Sequence, residues 1–92
     1  MAKIAVRIPT PLRSFVGGSD EVAVEADNVG QVLVVLRERH RGLIERVCDA
    51  DGKVRPFVNL YLGPKNVKSL AGLETALADG DILSIVPAVA GG

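Results

Sequence analysis

The sequence predicts an α+β domain: a mixed sheet of four to five strands with one main helix packed across it. Three observations carry that expectation. Two N-terminal segments alternate apolar and polar residues, the segment from residue 29 repeats apolar residues at helical spacing, and further β-forming runs follow at 57–62 and 82–86. Residues 3–8 place Ile4, Val6 and Ile8 on one face and Lys3, Ala5 and Arg7 on the other, the pattern of a half-buried strand. Pro9 and Pro11 end it, because proline has no N–H to give to a ladder. Gly17-Gly18 turns the chain into a second alternating stretch, with Val22 and Val24 inward and Glu21, Ala23 and Glu25 outward. Two such strands pair most simply as an antiparallel hairpin with a long, irregular connection.

Val29, Val32, Leu33 and Leu36 then predict a helix over about 29–41. Asn28 is placed to cap its start, with Gln31 completing a capping-box-like pair. Arg37, Arg39 and Arg41 crowd its last turns, where cations suit the helix dipole, and Gly42 stands where a residue just past the C-terminus is expected. A short helical turn carrying Leu43, Ile44 and Val47 follows. Asp49-Ala50-Asp51-Gly52 reads as a turn. Phe57 to Leu62 is the next strand, ended by Gly63-Pro64. A brief edge element near Val67, a loop through Gly72 and a helical turn over 73–77 lead to Asp79-Gly80-Asp81. The last strand runs from Ile82 to Val86 and stops at Pro87. A hairpin, a helix and then more strands make one sheet covered on one face, with the last strand parallel to the first. That order is the β-grasp, or ubiquitin-like, arrangement, expected over residues 1–87 with a flexible tail at 88–92.

Composition narrows the function classes. The 92 residues suit one small domain, and 48% hydrophobic content is normal for a globular one. Eleven basic residues against eleven acidic ones give no bulk attraction to nucleic acid or to an anionic membrane, so neither is expected as a partner. The single cysteine excludes an internal disulfide, a thiolate zinc site and an iron–sulfur cluster. The longest aliphatic run, Val32 to Leu36, is far short of a membrane span, and the N-terminus lacks a signal-peptide layout. A cytoplasmic protein without a cofactor or metal is the expectation.

The side chains offer no catalytic constellation. Asp49-Ala50-Asp51-Gly52 lacks the flanking ligands of a calcium loop, and Gly17-Gly18 lacks the lysine of a phosphate loop. His40 stands on the Leu36 register without a second histidine, and the neighbouring Asp49 would raise the Cys48 thiol pKa, which argues against a nucleophile. The arginines between 37 and 46, interspersed with Glu38 and Glu45, read as a solvated helix face in a chain with 3% aromatic content for stacking. The chemistry concentrates instead at Ala88-Val89-Ala90-Gly91-Gly92. Short side chains and a final glycine pair allow such a tail to enter a narrow channel with its carboxylate leading.

Three stretches carry a resemblance over essentially the whole chain: Phe57-Val58-Asn59-Leu60-Tyr61-Leu62, Leu77-Ala78-Asp79-Gly80-Asp81, and Ile85-Val86-Pro87-Ala88-Val89-Ala90-Gly91-Gly92. They resemble the ubiquitin-like sulfur carriers of the MoaD/ThiS family. The run Arg55-Pro56-Phe57-Val58-Asn59 and the tail are most similar to the CysO-type carriers of cysteine biosynthesis. The molybdopterin-synthase branch commonly has a second proline where Ala88 stands and an aromatic residue where Val86 stands. The resemblance implies a carrier that is a substrate rather than an enzyme. An E1-like activating enzyme of the MoeB/ThiF type adenylates Gly92 with ATP, a sulfur donor converts it to a thiocarboxylate, and an acceptor such as a cysteine synthase takes the sulfur. Gly91, Ala90 and Val89 would thread the tail into these partners. Molybdopterin synthesis and tRNA thiolation remain alternative destinations, and conjugation to lysines, as in ubiquitin, is an alternative of another class. Alternation further puts Phe57, Asn59 and Tyr61 on the sheet face away from the helix, joined by Ser84 and Val86, as the expected docking surface for the activating enzyme.

Overall fold

The alternating N-terminal segments form β1 (Ala2–Arg7) and β2 (Glu21–Ala26), paired antiparallel from Ala2 opposite Ala26 to Arg7 opposite Glu21. The computed structural model describes residues 1–87, so the expectations for Ala88, Val89, Ala90, Gly91 and Gly92 lie outside the described residues. The register puts Ile4, Val6, Val22, Val24 and Ala26 into the core and leaves Glu21, Ala23 and Glu25 exposed. The connection between these strands is more ordered than expected. Thr10–Val16 is a 3₁₀ helix with proline in its first turn, closed by Gly17 in the left-handed region, and it buries Val16.

The helix begins where predicted. The Asn28 side chain accepts from the Gln31 N–H at 2.9 Å. The Gln31 carboxamide oxygen reaches back to the Asp27 N–H at 2.7 Å, one residue earlier than in a capping box. Its end differs from the expectation. Helix α1 spans Val29–Arg39, His40 forms the junction, and α2 spans Arg41–Val47. An unbroken helix would carry His40 into the core on the Leu36 face; the break leaves it half-buried while Leu43, Ile44 and Val47 still pack inward. Gly42 is therefore not a residue past the helix end. It lies inside α2, where a Cβ would stand 2.9 Å from Phe15 Cδ1, and its role is to let the 3₁₀ segment approach.

Strands β3 (Val58–Leu62), β4 (Lys65–Asn66) and β5 (Ile82–Pro87) complete a five-stranded sheet in the order β2-β1-β5-β3-β4. β5 runs parallel to β1 and antiparallel to β3, as the β-grasp arrangement requires. The Asp79-Gly80-Asp81 turn sets that parallel start. Asp79 Oδ1 accepts from the Lys3 N–H, the Gly80 N–H donates to the Lys3 carbonyl, and Asp81 Oδ2 accepts from the Ala78 N–H. Gly80 sits at φ 87°, which a side chain would strain. The edge element expected near Val67 is β4, with Val67 starting a 3₁₀ turn, and the turn expected over 73–77 spans Gly72–Glu74. Among the described residues no helix is long and apolar enough to cross a membrane.

Candidate functional site

Strand parity builds one surface from the side of the sheet away from the helices. Asn59 stands opposite Val86 and Tyr61 opposite Ser84, so these four side chains form two adjoining cross-strand pairs on β3 and β5. Their inward neighbours Val58, Leu60, Leu83 and Ile85 are buried, which fixes the register, since a slip of one residue would turn that apolar set to water. Asn59 is further held by a contact of its side-chain oxygen with the Asn66 amide at 3.4 Å. Val86 stays 42% exposed, large for an aliphatic group.

The face extends further than sequence reasoning placed it. Ile82 has the parity of Ser84 and Val86, is 39% exposed, and lies opposite Ala5 on β1. Period-2 alternation from Val86 back through Ser84 was the signal that would have found it. Phe57 stands apart from the other expected docking residues. It precedes β3 in a turn closed by the Val58 N–H donating to the Arg55 carbonyl, so strand alternation does not govern it. Its ring is exposed and lines a groove of about 560 Å³ with Pro11, Leu12, Arg46 and Pro87. That groove ends at the last described residue, where the tail begins.

The remaining candidates resolve individually. Cys48 is buried, and its thiol pKa is pushed up, chiefly by desolvation; Asp49 acts in the same direction and the Arg37 and Arg55 cations oppose it. Asp49 shapes the following turn, its Oδ1 accepting from the Asp51 and Lys53 N–H groups. Among the described residues no group of three or more His, Cys, Asp and Glu side chains is arranged to hold a metal ion. The arginines are more structured than a solvated face. Arg39 donates to the Ala23 carbonyl at 3.1 Å, and the Arg46 guanidinium sits 5.3 Å from the centre of the Phe15 ring.

Comparison with known proteins places this architecture. The ThiS family profile matches residues 6–92. The chain is 43% identical over 91 residues to the sulfur carrier protein CysO of Mycobacterium tuberculosis, covering 97% of this chain and 98% of that protein. The structure superposes on the Amycolatopsis orientalis BexX/CysO complex with a TM-score of 0.87 at 37% identity, covering 97% of this chain and 99% of the other. It also superposes on the small archaeal modifier protein SAMP1 of Methanosarcina acetivorans, with a TM-score of 0.88 at 28% identity over 100% and 98% of the two chains.

Proposed function

The chain belongs to the ThiS family, and from that premise we propose that it is a sulfur carrier whose reactive group is the carboxylate of Gly92. The observation that carries the reading is near-full-length similarity to a sulfur carrier, at 43% identity, in a chain whose family match runs through Gly91 and Gly92. Residues 1–87 are the β-grasp body and 88–92 the reactive tail. In the first step the carboxylate oxygen attacks the α-phosphorus of ATP in an E1-like activating enzyme, and pyrophosphate leaves. A sulfide equivalent from the sulfur donor then attacks the acyl carbon of the adenylate. AMP departs, and the glycine carries a thiocarboxylate. The thiocarboxylate sulfur then attacks an electrophilic carbon of an activated acceptor and displaces its leaving group. Hydrolysis of the resulting acyl link by water frees the sulfur-bearing product and restores the carboxylate. The similarity to CysO favours an acceptor in cysteine synthesis, such as a cysteine synthase.

The chain's own contribution is presentation. Gly91 and Gly92 add no side chain to the entry path, and Val89 and Ala90 add only short ones. The face of Asn59, Tyr61, Ser84 and Val86, extended by Ile82, docks the activating enzyme, and Phe57, apart from that face, adds its exposed ring from the neighbouring groove. A second reading, conjugation of Gly92 to target lysines, is favoured by the likeness to the archaeal modifier. Both readings share the adenylate and separate after it.

The test incubates the protein with an activating enzyme of the MoeB/ThiF type, ATP and a sulfide source, and measures intact mass. A carrier gains the mass difference between sulfur and oxygen. Deleting Gly92 retracts the carboxylate by up to about 3.5 Å, whereas misplacement of about 1 Å already costs on the order of 100-fold in rate. Chains lacking Gly92, or carrying Gly91→Val, should therefore stay at their starting mass. Variants that react like the parent refute the assignment. Lysine adducts without a thiocarboxylate favour the modifier.

A further inference from the structure

A second groove, of about 520 Å³, opens where the end of α1, helix α2 and the segment after the Asp49–Gly52 turn meet. Arg37, Arg41, Arg46 and Arg55 line it, with Glu45 and Asp49 as the carboxylates among the lining residues. In a chain of zero formal net charge this is a local excess of cation. Among the described residues none of the four guanidinium groups forms an ion pair. The ion pairs among the described residues join the N-terminal amine to Asp27 and Arg7 to Glu21, both elsewhere. Asp49 is committed to its own turn, where one carboxylate oxygen takes the Asp51 and Lys53 N–H groups at 2.9 and 3.0 Å.

Two of the four forks are already oriented. Arg55 donates through Nε and Nη2 to the Glu45 carbonyl at 3.3 and 3.1 Å, which leaves its Nη1 hydrogens to a ligand. Arg46 rests on the Phe15 ring. Arg37 packs over the turn, its Nη2 3.4 Å from where a Cβ on Gly52 would lie. Guanidinium forks held in place bind phosphate bidentately with little loss of freedom, and the volume falls in the range of small-molecule sites. No aromatic side chain is among the lining residues to stack a base, which disfavours single-stranded nucleic acid.

We infer that this groove is a binding site for a small phosphate-bearing anion with at least two phosphate charges. The inference goes beyond the sulfur-carrier reading and does not rest on Gly92. The probe is inorganic pyrophosphate, titrated at constant ionic strength into ¹⁵N-labelled full-length protein. Expected are saturable shifts of the Nε–H resonances of Arg37, Arg41, Arg46 and Arg55 and of the backbone amides from 41 to 49. The Arg37→Ala/Arg41→Ala double variant removes two exposed side chains and should weaken binding by about tenfold or more, the scale of a lost charge-assisted hydrogen bond. Arg41→Gln alone, the milder replacement, should weaken it in the same direction, and Arg7→Ala should bind like the parent. Shifts that do not saturate, shifts of equal size at Arg7 and Lys65, or undiminished binding by both groove variants would overturn the inference. Saturation by polyglutamate but not by pyrophosphate would also overturn it, in favour of a carboxylate-rich protein surface.

Discussion

Replacing Gly42 with alanine tests the helix junction, the 3₁₀ segment and the seat of Arg46 together. A methyl group at this position would lie 2.9 Å from Phe15 Cδ1, with Cε1 and Cγ at 3.5 and 3.7 Å. Carbon atoms are at ease at about 3.5–4.0 Å, so the ring must move by several tenths of an ångström. It is not free to do so: Phe15 packs against the core beside buried Val16, and the Arg46 guanidinium covers its face. Alanine in a helix gains at most about 1 kcal/mol over glycine, whereas overpacking costs about 1–3 kcal/mol. The expected net effect of Gly42→Ala runs from near zero to about 2 kcal/mol of destabilisation. In a domain of this size 1 kcal/mol corresponds to roughly 4–8 °C in Tm. With Phe15→Ala the obstacle is gone, and the same substitution should stabilise by up to about 1 kcal/mol. Urea and thermal unfolding of the four proteins in the double-mutant cycle measure the coupling, expected at about 1–3 kcal/mol. An equal rise in stability in both backgrounds would show that Phe15 does not close on Gly42.

Three further outcomes are expected. Val86→Asp puts a charge on the outer sheet face while leaving stability within about 0.5 kcal/mol, and it should weaken activating-enzyme binding by about 30-fold if Val86 is an interface anchor; unchanged pyrophosphate-release kinetics with that enzyme would remove the face from the interface. Asn28→Ala deletes the side-chain acceptor of the Gln31 N–H and should cost about 1 kcal/mol in urea unfolding. Burial raises the Cys48 thiol pKa in the folded state, so its stabilising contribution is complete below the pKa of the unfolded thiol and is lost as pH rises through the folded value. The urea midpoint should accordingly fall from neutral to alkaline pH by more in the parent than in Cys48→Ala, and a thiol reagent should label the native protein slowly and the unfolded chain fast.

The parts of this fold legible in the sequence are those in which one neighbour in space is also one period away in the chain. Val22 and Val24 announce their strand because each buried side chain is followed by an exposed one, and a single wet face enforces that alternation. The start of α1 is legible for the same local reason: Asn28 caps an N–H three residues on. The 3₁₀ helix at Thr10–Val16 leaves no comparable trace, since about two turns of i→i+3 structure are too short to set an apolar period. Gly42 shows the limit most sharply. As a residue type it fits a helix terminus, and only the position of Phe15, contributed by a distant segment, turns it into a point of close approach.

The candidate surfaces divide along the same line, by what each has to be next to. The Asn59, Tyr61, Ser84 and Val86 face follows from parity once β3 and β5 are recognised, and Ile82 belongs to it by the rule that places Val86. Phe57 escapes the rule because Pro56 and the Arg55-to-Val58 turn make the strand begin one residue later than β-propensity suggests. The arginine groove is the least legible element, although every charge in it is visible. On the helix alone Glu38 and Glu45 alternate with the arginines and give the appearance of balance. The fold adds Arg55 from the far side of the Asp49–Gly52 turn, commits the Asp49 carboxylate to that turn's N–H groups, and leaves Glu38 outside the groove. Charge neutrality along the chain is thus compatible with a concentrated cationic site, because what an anion meets is set by which charges the fold brings to one groove, here four arginines against two carboxylates.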